Sequence, residues 1–264
     1  MTRLTVFDLR ARRGTRVWSF LRVDSLDHCR AAEAAGIELI GTAFDGSTRH
    51  FPASAPGAHF RFGLPYGRYC STTEILRGGF DAMECGADTV YTAQSLDMVS
   101  ALAREGIPVI GHVGLVPPKA GWTGGYRAVG KTAAQALGLY AQIRAYEDAG
   151  AVGVELELVP WRVAEEITRR TSLITMSLGS GSGCDVQCLF ARDVLGETEC
   201  GIPRHAKAYR DFTREYARLE KERIAAFEEF ADEVEKGAFP TRGHILEIPD
   251  HEFDEFLSGI ERLP

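Results

Sequence analysis

The sequence of 264 residues has little that would place it in a membrane, on a nucleic acid or outside the cell. It has no apolar run of about 18 residues or more, so we expect no membrane-spanning helix. The N-terminus, MTRLTVFDLRARRGTR, lacks the apolar core of a signal peptide, which favours a cytoplasmic location. The net charge of −7 argues against a nucleic-acid partner, because phosphate contacts need a basic surface.

Cysteine is present, but not in a pattern that holds a metal. The six cysteines are scattered, and no Cys-x-x-Cys pair occurs. Cys184 and Cys188 lie close together in sequence, yet no second pair of ligands follows at the spacing of a zinc site. We therefore predict that the cysteines are small buried hydrophobic residues rather than a disulfide framework or a zinc site.

Short apolar runs alternate with helical segments along most of the chain. The phrases EAAGIELI, ECGADTV, REGIPVI and EDAGAVGV each end a helix at glycine and enter an apolar strand. This alternation is typical of parallel strands joined by crossover helices. With about seven or eight such units in one domain, it predicts a (β/α)8 TIM-type barrel rather than an open sheet.

The predicted strands follow this alternation, and the pattern changes after residue 200. Strands are expected at 16–23, 37–42, 60–64, 89–92, 109–113, 152–158 and 173–178, with a loop and no helix at 44–57. A long amphipathic helix is predicted over 205–236, and a short one beyond residue 245. We predict a single barrel domain over 1–264, in which 205–264 form a C-terminal helical extension. An apolar stripe along the long helix favours a homo-oligomer, with the barrel itself as the alternative surface for packing.

The segment 111–131, GHVGLVPPKAGWTGGYRAVGK, carries the most information about chemistry. It joins a strand to a long loop rich in glycine, proline and aromatic residues. Glycine loses much backbone entropy on ordering, so such a loop is costly as a mere connection. In α/β barrels, the loops at the carboxyl ends of the strands carry the active site.

Several motifs in order along the chain resemble one enzyme family. GIPVIGHVGLVPPKAGWTGGYRAVGK is similar to the family pattern G-I-P-V-x-G-H-x-G-L-T-P followed by G-G-Y-x-x-Q-G-K. EDAGAVGVELELVP, GSGSGCDVQCLFARDVLG and KGAFP match three later motifs. Over roughly residues 3–243, the chain resembles the ketopantoate hydroxymethyltransferases. These are (β/α)8 barrels of the phosphoenolpyruvate mutase and isocitrate lyase superfamily.

The resemblance implies a reaction and a metal. Family members transfer a hydroxymethyl group from methylenetetrahydrofolate to a branched 2-oxo acid. Magnesium, held by three acidic residues on strand ends, stabilises the enolate of the acid. Methylenetetrahydrofolate is therefore a candidate carbon donor here, although the sequence itself identifies no cofactor.

This chain departs from the family at the metal ligands. Thr42, Gly63 and Ala93 stand where the family has its acidic residues, and Tyr91 stands where it has a lysine. We therefore do not expect a magnesium site built from side chains. Asp45, Arg49 and His50 lie on the shortened loop 44–57, where they are either replacement ligands or a solvated polar loop.

The other wall of the family site is retained. Glu157 in ELELVP is predicted to transfer protons, with a structural carboxylate that accepts backbone N–H groups as the alternative. His112 is predicted to orient the substrate, with a hydrogen-bonded core histidine as the alternative. The predicted substrate-binding residues, which fill the vacated pocket or end the glycine loop, are Thr42, Gly63, Tyr66, Tyr91 and Lys131. Asp185 matches a family position and is predicted to lie in a loop or to cap a helix.

Three functions follow from these observations. The first is an enzyme for aldol-type carbon–carbon bond formation or cleavage, such as hydroxymethyl transfer, on a small 2-oxo-acid-like substrate. The second is a metal-independent lyase, isomerase or decarboxylase on the same barrel. The third is a non-catalytic barrel with an assembly or regulatory role, because fold alone does not determine function.

Overall fold

Residues 3–198 and 201–262 are described by a computed structural model, in which the chain divides into two compact units. The units are Met1–Asp211 and Phe212–Pro264. None of the described helices is long and apolar enough to cross a bilayer.

The first unit is a closed barrel of eight parallel strands in sequence order. Each strand pairs with the next, and β1 pairs with β8 to close the barrel, with Trp18 opposite Val186 and Arg22 opposite Phe190. The strands are β1 Trp18–Arg22, β2 Leu39–Ala43, β3 His59–Gly63, β4 Thr89–Tyr91, β5 Val109–Gly114, β6 Gly153–Glu157, β7 Ile174–Leu178 and β8 Val186–Phe190. The predicted (β/α)8 barrel is confirmed.

Helices surround the barrel, and two short ones were not predicted. The helices of the first unit are α1 Val6–Ala11, α2 Leu26–Ala34, α3 Thr72–Glu84, α4 Leu96–Arg104, α5 Ala133–Asp148, α6 Trp161–Arg170 and α7 Ala191–Leu195. The segment 44–57 contains a 3-10 turn, Phe51–Ser54, and no α-helix, as predicted. The sequence pattern did not predict α1 and α7, which are only six and five residues long.

The barrel has two apolar layers. One lies between the strands and the surrounding helices and includes Ile40, Phe62 and Leu156. The other lies inside the barrel, where Trp18 packs in the same cluster as Leu9 of α1. Side chains alternate between the two faces of a strand, so inward residues recur at every second position. Because Leu9 packs with Trp18, at the start of β1, α1 covers the amino-terminal end of the barrel. The carboxyl-terminal end contains a cavity.

The second unit is helical, but the predicted boundary of its long helix was wrong. It contains α8 Phe212–Glu235, a 3-10 turn Arg242–His244 and α9 Asp250–Ile260. The long helix begins at Phe212 and not at residue 205. The backbone N–H of Tyr209 donates to the carbonyl of Val194, 2.8 Å away, instead of forming a helical bond. The short helix predicted beyond residue 245 is present as α9.

The described cysteines are free, and most of them are buried. Cys29, Cys184 and Cys188 are buried, as predicted, and burial raises the pKa of the Cys29 thiol to about 11. Cys70 is exposed, which the prediction missed, because it lies in the turn before α3. Cys200 lies outside the described residues.

Candidate active site

A cavity of about 330 Å³ opens at the carboxyl ends of the strands. The terminal residues of most strands line it, together with the segments that follow β3 and β5. The wall residues from strand ends are Arg22, Ala43, Gly63, Tyr91, Glu157, Leu178 and Phe190. Most of the wall is apolar. The volume of the cavity lies at the low end of the range of about 300–1,000 Å³ for small-molecule sites.

The floor of the cavity contains a buried ion pair between opposite sides of the barrel. Nη2 of Arg61, from β3, lies 2.7 Å from Oε1 of Glu155, from β6. The two side chains are only 8% and 9% exposed. The guanidinium also lies over the ring of Phe20, 4.0 Å from its centroid, so an aromatic face contributes to its stabilisation. A charge buried this deeply needs such a partner.

His112, on β5, connects this ion pair to a second carboxylate. Its Nε2 lies 2.6 Å from the carbonyl oxygen of Leu115, and because a carbonyl can only accept, Nε2 carries a hydrogen. The same nitrogen is 3.3 Å from Oε2 of Glu157. On the other side of the ring, Nδ1 lies 2.5 Å from the hydroxyl of Tyr91 and 3.5 Å from Oε2 of Glu155. The imidazole is therefore held between two carboxylates.

The electrostatics of this array favour a charged imidazole beside a neutral phenol. Burial alone would lower the pKa of His112, but the hydrogen bond to Glu157 and the negative charges of Glu155 and Glu157 outweigh it, so the pKa is raised. Burial, and then the charge of Glu155, raise the pKa of Tyr91 well above its usual value. When His112 is protonated, its Nδ1–H donates to the Tyr91 oxygen, and the phenol O–H becomes free to donate elsewhere.

Close backbone packing fixes the strand ends that carry His112 and Glu157. Gly111 has no side chain, so the ring of Tyr146 packs against its backbone, and the Tyr146 hydroxyl donates to the carbonyl of His112 at 3.1 Å. Leu158, directly after Glu157, has a left-handed φ of 50°, which is uncommon for a non-glycine residue. Strained backbone of this kind persists where the surrounding structure holds it in place, often at functional sites.

The structure brings the predicted site residues together, with one exception. His112 and Glu157 line the cavity, and so do the predicted substrate-binding residues Thr42, Gly63, Tyr66 and Tyr91. Lys131 is exposed and is not among the cavity-lining residues; its backbone N–H donates to Gln135. The functional roles given to these residues stay predictions.

Three charged residues of the cavity were not predicted from the sequence. Arg22, Arg61 and Glu155 all line it, and each occupies an inward position of a strand. A signal was present, because a charged residue interrupts the apolar pattern in the strands WSFLR, HFRFG and GVELE. Charged residues are rarely buried without a partner, so such interruptions point to a pair or a site.

Two other polar predictions have structural outcomes. Asp185 precedes β8 at the amino-terminal end of the barrel, where its carboxylate pairs with Arg13 at 3.0 Å and accepts the backbone N–H of Thr175 at 2.9 Å. It therefore lies in a loop, as predicted, but links β7 to β8 and caps no helix. Asp45 accepts the backbone N–H of Ser47 at 2.8 Å and lies outside the cavity wall, as in a self-contained polar loop.

The residues of the cavity do not fit a magnesium ion. Thr42, Gly63 and Ala93 line it at the positions where the family resemblance places acidic ligands. The carboxylates that are present, Glu155 and Glu157, are engaged by Arg61 and His112. Across residues 3–198 and 201–262, no three His, Cys, Asp or Glu side chains come together as a metal-ligand group. Hard divalent ions need several oxygen ligands.

Comparisons with known proteins agree with the sequence motifs. The sequence profile described as ketopantoate hydroxymethyltransferase matches residues 26–242. The 3-methyl-2-oxobutanoate hydroxymethyltransferase of Pyrobaculum islandicum is 33% identical, over 94% of this chain and 100% of its own length. The enzyme of the same name from Thermus thermophilus is 34% identical over 92% and 99% of the two chains.

A solved structure shares the fold. The orotidine 5'-phosphate decarboxylase of Pyrococcus horikoshii OT3 superposes with a TM-score of 0.50 at 15% identity, covering 67% of this chain and 90% of that one. At this identity, the likeness concerns the barrel alone.

Proposed function

Because this chain belongs to the ketopantoate hydroxymethyltransferase family, we propose that it transfers a hydroxymethyl group to a small 2-oxo acid in the barrel cavity. The observation that carries the proposal is the placement of Glu157. It ends β6, lines the cavity and lies 3.3 Å from the imidazole of His112. Relatives are named for 3-methyl-2-oxobutanoate, so this acid is the natural test substrate.

Glu157 is the proton-transfer residue in the proposed reaction. Its carboxylate removes the hydrogen from the carbon next to the carbonyl. The C–H electron pair becomes a carbon–carbon double bond, and the carbonyl pair moves onto oxygen to give the enolate. General base catalysis of this kind contributes about 10²- to 10⁴-fold to a rate.

Tyr91 is the proposed donor to the enolate oxygen. With His112 protonated, the imidazole Nδ1–H donates to the Tyr91 oxygen, and the phenol O–H is directed to the substrate. A donor already oriented toward the developing charge stabilises the transition state without reorganisation. His112 acts here as a positioning residue, through both Tyr91 and Glu157. The reaction has no step through a metal, because the cavity residues do not fit one.

Carbon–carbon bond formation completes the reaction. The enolate carbon attacks a donor at the oxidation level of formaldehyde. With formaldehyde itself, the C=O pair moves to its oxygen, which takes the proton held by Glu157. The product is the hydroxymethyl 2-oxo acid. Methylenetetrahydrofolate, the donor that the family resemblance implies, is at the same oxidation level.

Proton exchange tests the first step without the carbon donor. The protein is incubated with 3-methyl-2-oxobutanoate in D₂O, with magnesium or with EDTA, and loss of the C3 hydrogen is followed by ¹H NMR. We expect catalysed exchange at equal rates in both conditions, and a fall of about 10²- to 10⁴-fold in Glu157→Gln. Glu105→Gln, an exposed change at the end of α4, is the matched control. No exchange above background, or full exchange in Glu157→Gln, overturns the proposal.

A second candidate is a metal-independent lyase, isomerase or decarboxylase. The poor fit of the cavity to a metal favours it, because its chemistry needs only the proton-transfer residues. The same NMR spectra distinguish the two, since cleavage or loss of CO₂ gives new carbon-bound signals without added formaldehyde. A non-catalytic barrel predicts that Glu157→Gln and His112→Ala leave the biological role intact.

Location and assembly complete the proposal. We place the protein in the cytoplasm as a homo-oligomer. Cell fractionation and light scattering after size-exclusion chromatography test these two points.

A further inference from the structure

Arg22 is a cation of the cavity wall that has no carboxylate partner among the described residues. It ends β1, lines the cavity and is half-buried. Its guanidinium lies over the ring of Phe190, 5.1 Å from the centroid. Within the described part of the chain, no salt bridge or side-chain hydrogen bond engages this guanidinium, in contrast to that of Arg61, which Glu155 holds. Its donors therefore remain available to a ligand.

The barrel places Arg22 away from the carboxylates. The closed strand order puts β1 three strands from β6, so Arg22 and Glu157 project from nearly opposite walls. The nearby wall beside Arg22 is apolar and includes Ala43, Leu189 and Phe190. Apolar surroundings strengthen the attraction between a guanidinium and an anion, and a guanidinium binds a carboxylate through two parallel hydrogen bonds.

Arg22 and Glu157 lie at the same end of the barrel. Arg22 is the last residue of β1 and Glu157 is the last residue of β6, and both line the cavity. Both side chains therefore belong to the carboxyl-terminal rim of the cavity, on nearly opposite walls. A small acid that spans the cavity with its carboxylate at Arg22 therefore directs its carbon chain toward the wall that carries Glu157.

We propose that Arg22 binds the carboxylate of the substrate and so selects a 2-oxo acid over an uncharged ketone. This inference rests on the proposed function and adds its specificity-determining residue. Phe190 orients the guanidinium through its ring face. Arg61, on the floor of the cavity, is neutralised by Glu155 and does not bind the substrate carboxylate.

Direct binding tests the role of Arg22 apart from turnover. Binding of 3-methyl-2-oxobutanoate is measured by isothermal titration calorimetry, and binding of 3-methyl-2-butanone, which lacks the carboxylate, is measured by ligand-observed NMR. We expect Arg22→Met to weaken binding of the acid by about 10- to 100-fold, the usual effect of losing a charge-assisted hydrogen bond. Binding of the ketone should be unchanged. Arg22→Lys keeps the positive charge but cannot donate two parallel hydrogen bonds. Its affinity for the acid should therefore lie between those of the wild type and Arg22→Met.

Arg192→Met is the matched control. The Arg192 guanidinium also lies over Phe190, 5.5 Å from its centroid, but Arg192 is not among the residues that line the cavity. This variant should bind both compounds as the wild type does. Circular dichroism confirms that each variant is folded.

The outcomes separate the two proposals. If the wild type binds the acid through Arg22 but catalyses no exchange, the proposed function fails and the role of Arg22 stands. If exchange occurs and Arg22→Met binds the acid as tightly as the wild type, the role of Arg22 fails alone. A wild-type protein that binds acid and ketone equally, or neither, overturns the role of Arg22.

Discussion

The buried pair of Arg61 and Glu155 allows a quantitative test of how the barrel interior is stabilised. Each side chain is less than a tenth exposed, so solvent screens the pair little and the value for surface salt bridges does not apply. Removal of one partner leaves an uncompensated buried charge, which costs about 3–5 kcal/mol. We expect Glu155→Met, which leaves the Arg61 guanidinium without its carboxylate, to lower the free energy of unfolding by about this amount. Arg61→Met should lower it less, because His112 Nδ1 still lies 3.5 Å from the Glu155 carboxylate.

The double variant should recover most of the loss. Two methionines of similar volume remove both charges together, and such replacements are often neutral or stabilising. The coupling energy from the double-mutant cycle should therefore be about 3 kcal/mol or more.

Trp18 provides an assay that reports on the barrel. It is 1% exposed inside the barrel, whereas Trp122 and Trp161 are exposed, so replacing those two with Phe leaves one buried fluorophore. Urea unfolding followed by Trp18 emission then measures the barrel separately from the helical unit. If each single variant lowers the free energy of unfolding by less than about 1 kcal/mol, and the effects add in the double variant, the pair does not stabilise the barrel interior.

Two further predictions concern the strand that carries the imidazole. Gly111→Ala places a Cβ against the ring of Tyr146 and should lower the free energy of unfolding by about 1–3 kcal/mol. The control Gly138→Ala, on α5 with no atom near the added Cβ, should raise it by about 0.4–1 kcal/mol. Equal melting temperatures for the two variants would contradict this. His112 has a raised pKa in the folded protein, so its stabilising contribution is complete below the unfolded value near 6.5 and is lost as pH rises through the folded value. Urea unfolding across this range should show falling stability in the wild type and a flatter profile in His112→Gln. A wild-type profile that rises over the same interval would be inconsistent with that shift.

The repeated local pattern of the chain was enough to predict the barrel. Each helix that ends in glycine before an apolar strand, such as the one before Val109–Gly114, carries its own signal within a few residues. The strand Val186–Phe190 was missed because it follows a glycine-rich loop with no preceding helix, and its identity depends on pairing with Trp18–Arg22 at the other end of the unit. Pairing between strands so far apart in the chain produces no hydrophobic periodicity in the local sequence.

The site could be predicted only in part, for a similar reason. Glu157 and His112 stand in motifs that are contiguous in sequence. The partnership of Arg61 with Glu155 joins residues 94 positions apart across the barrel, and either residue alone looks like an irregular polar position in a strand. Arg22 likewise could not be predicted as a site residue from the sequence. The structure shows that it lines the cavity and has no carboxylate partner among the described residues.

The most direct test of the account is a crystal structure of the protein grown with 3-methyl-2-oxobutanoate and manganese, which anomalous scattering identifies. We expect the acid in the cavity, with its carboxylate on Arg22, its C3 carbon facing Glu157 and its oxo group near the Tyr91 hydroxyl. We expect no divalent ion bound by protein side chains there. An ordered manganese ion held by Glu155, Glu157 or Thr42 would contradict it.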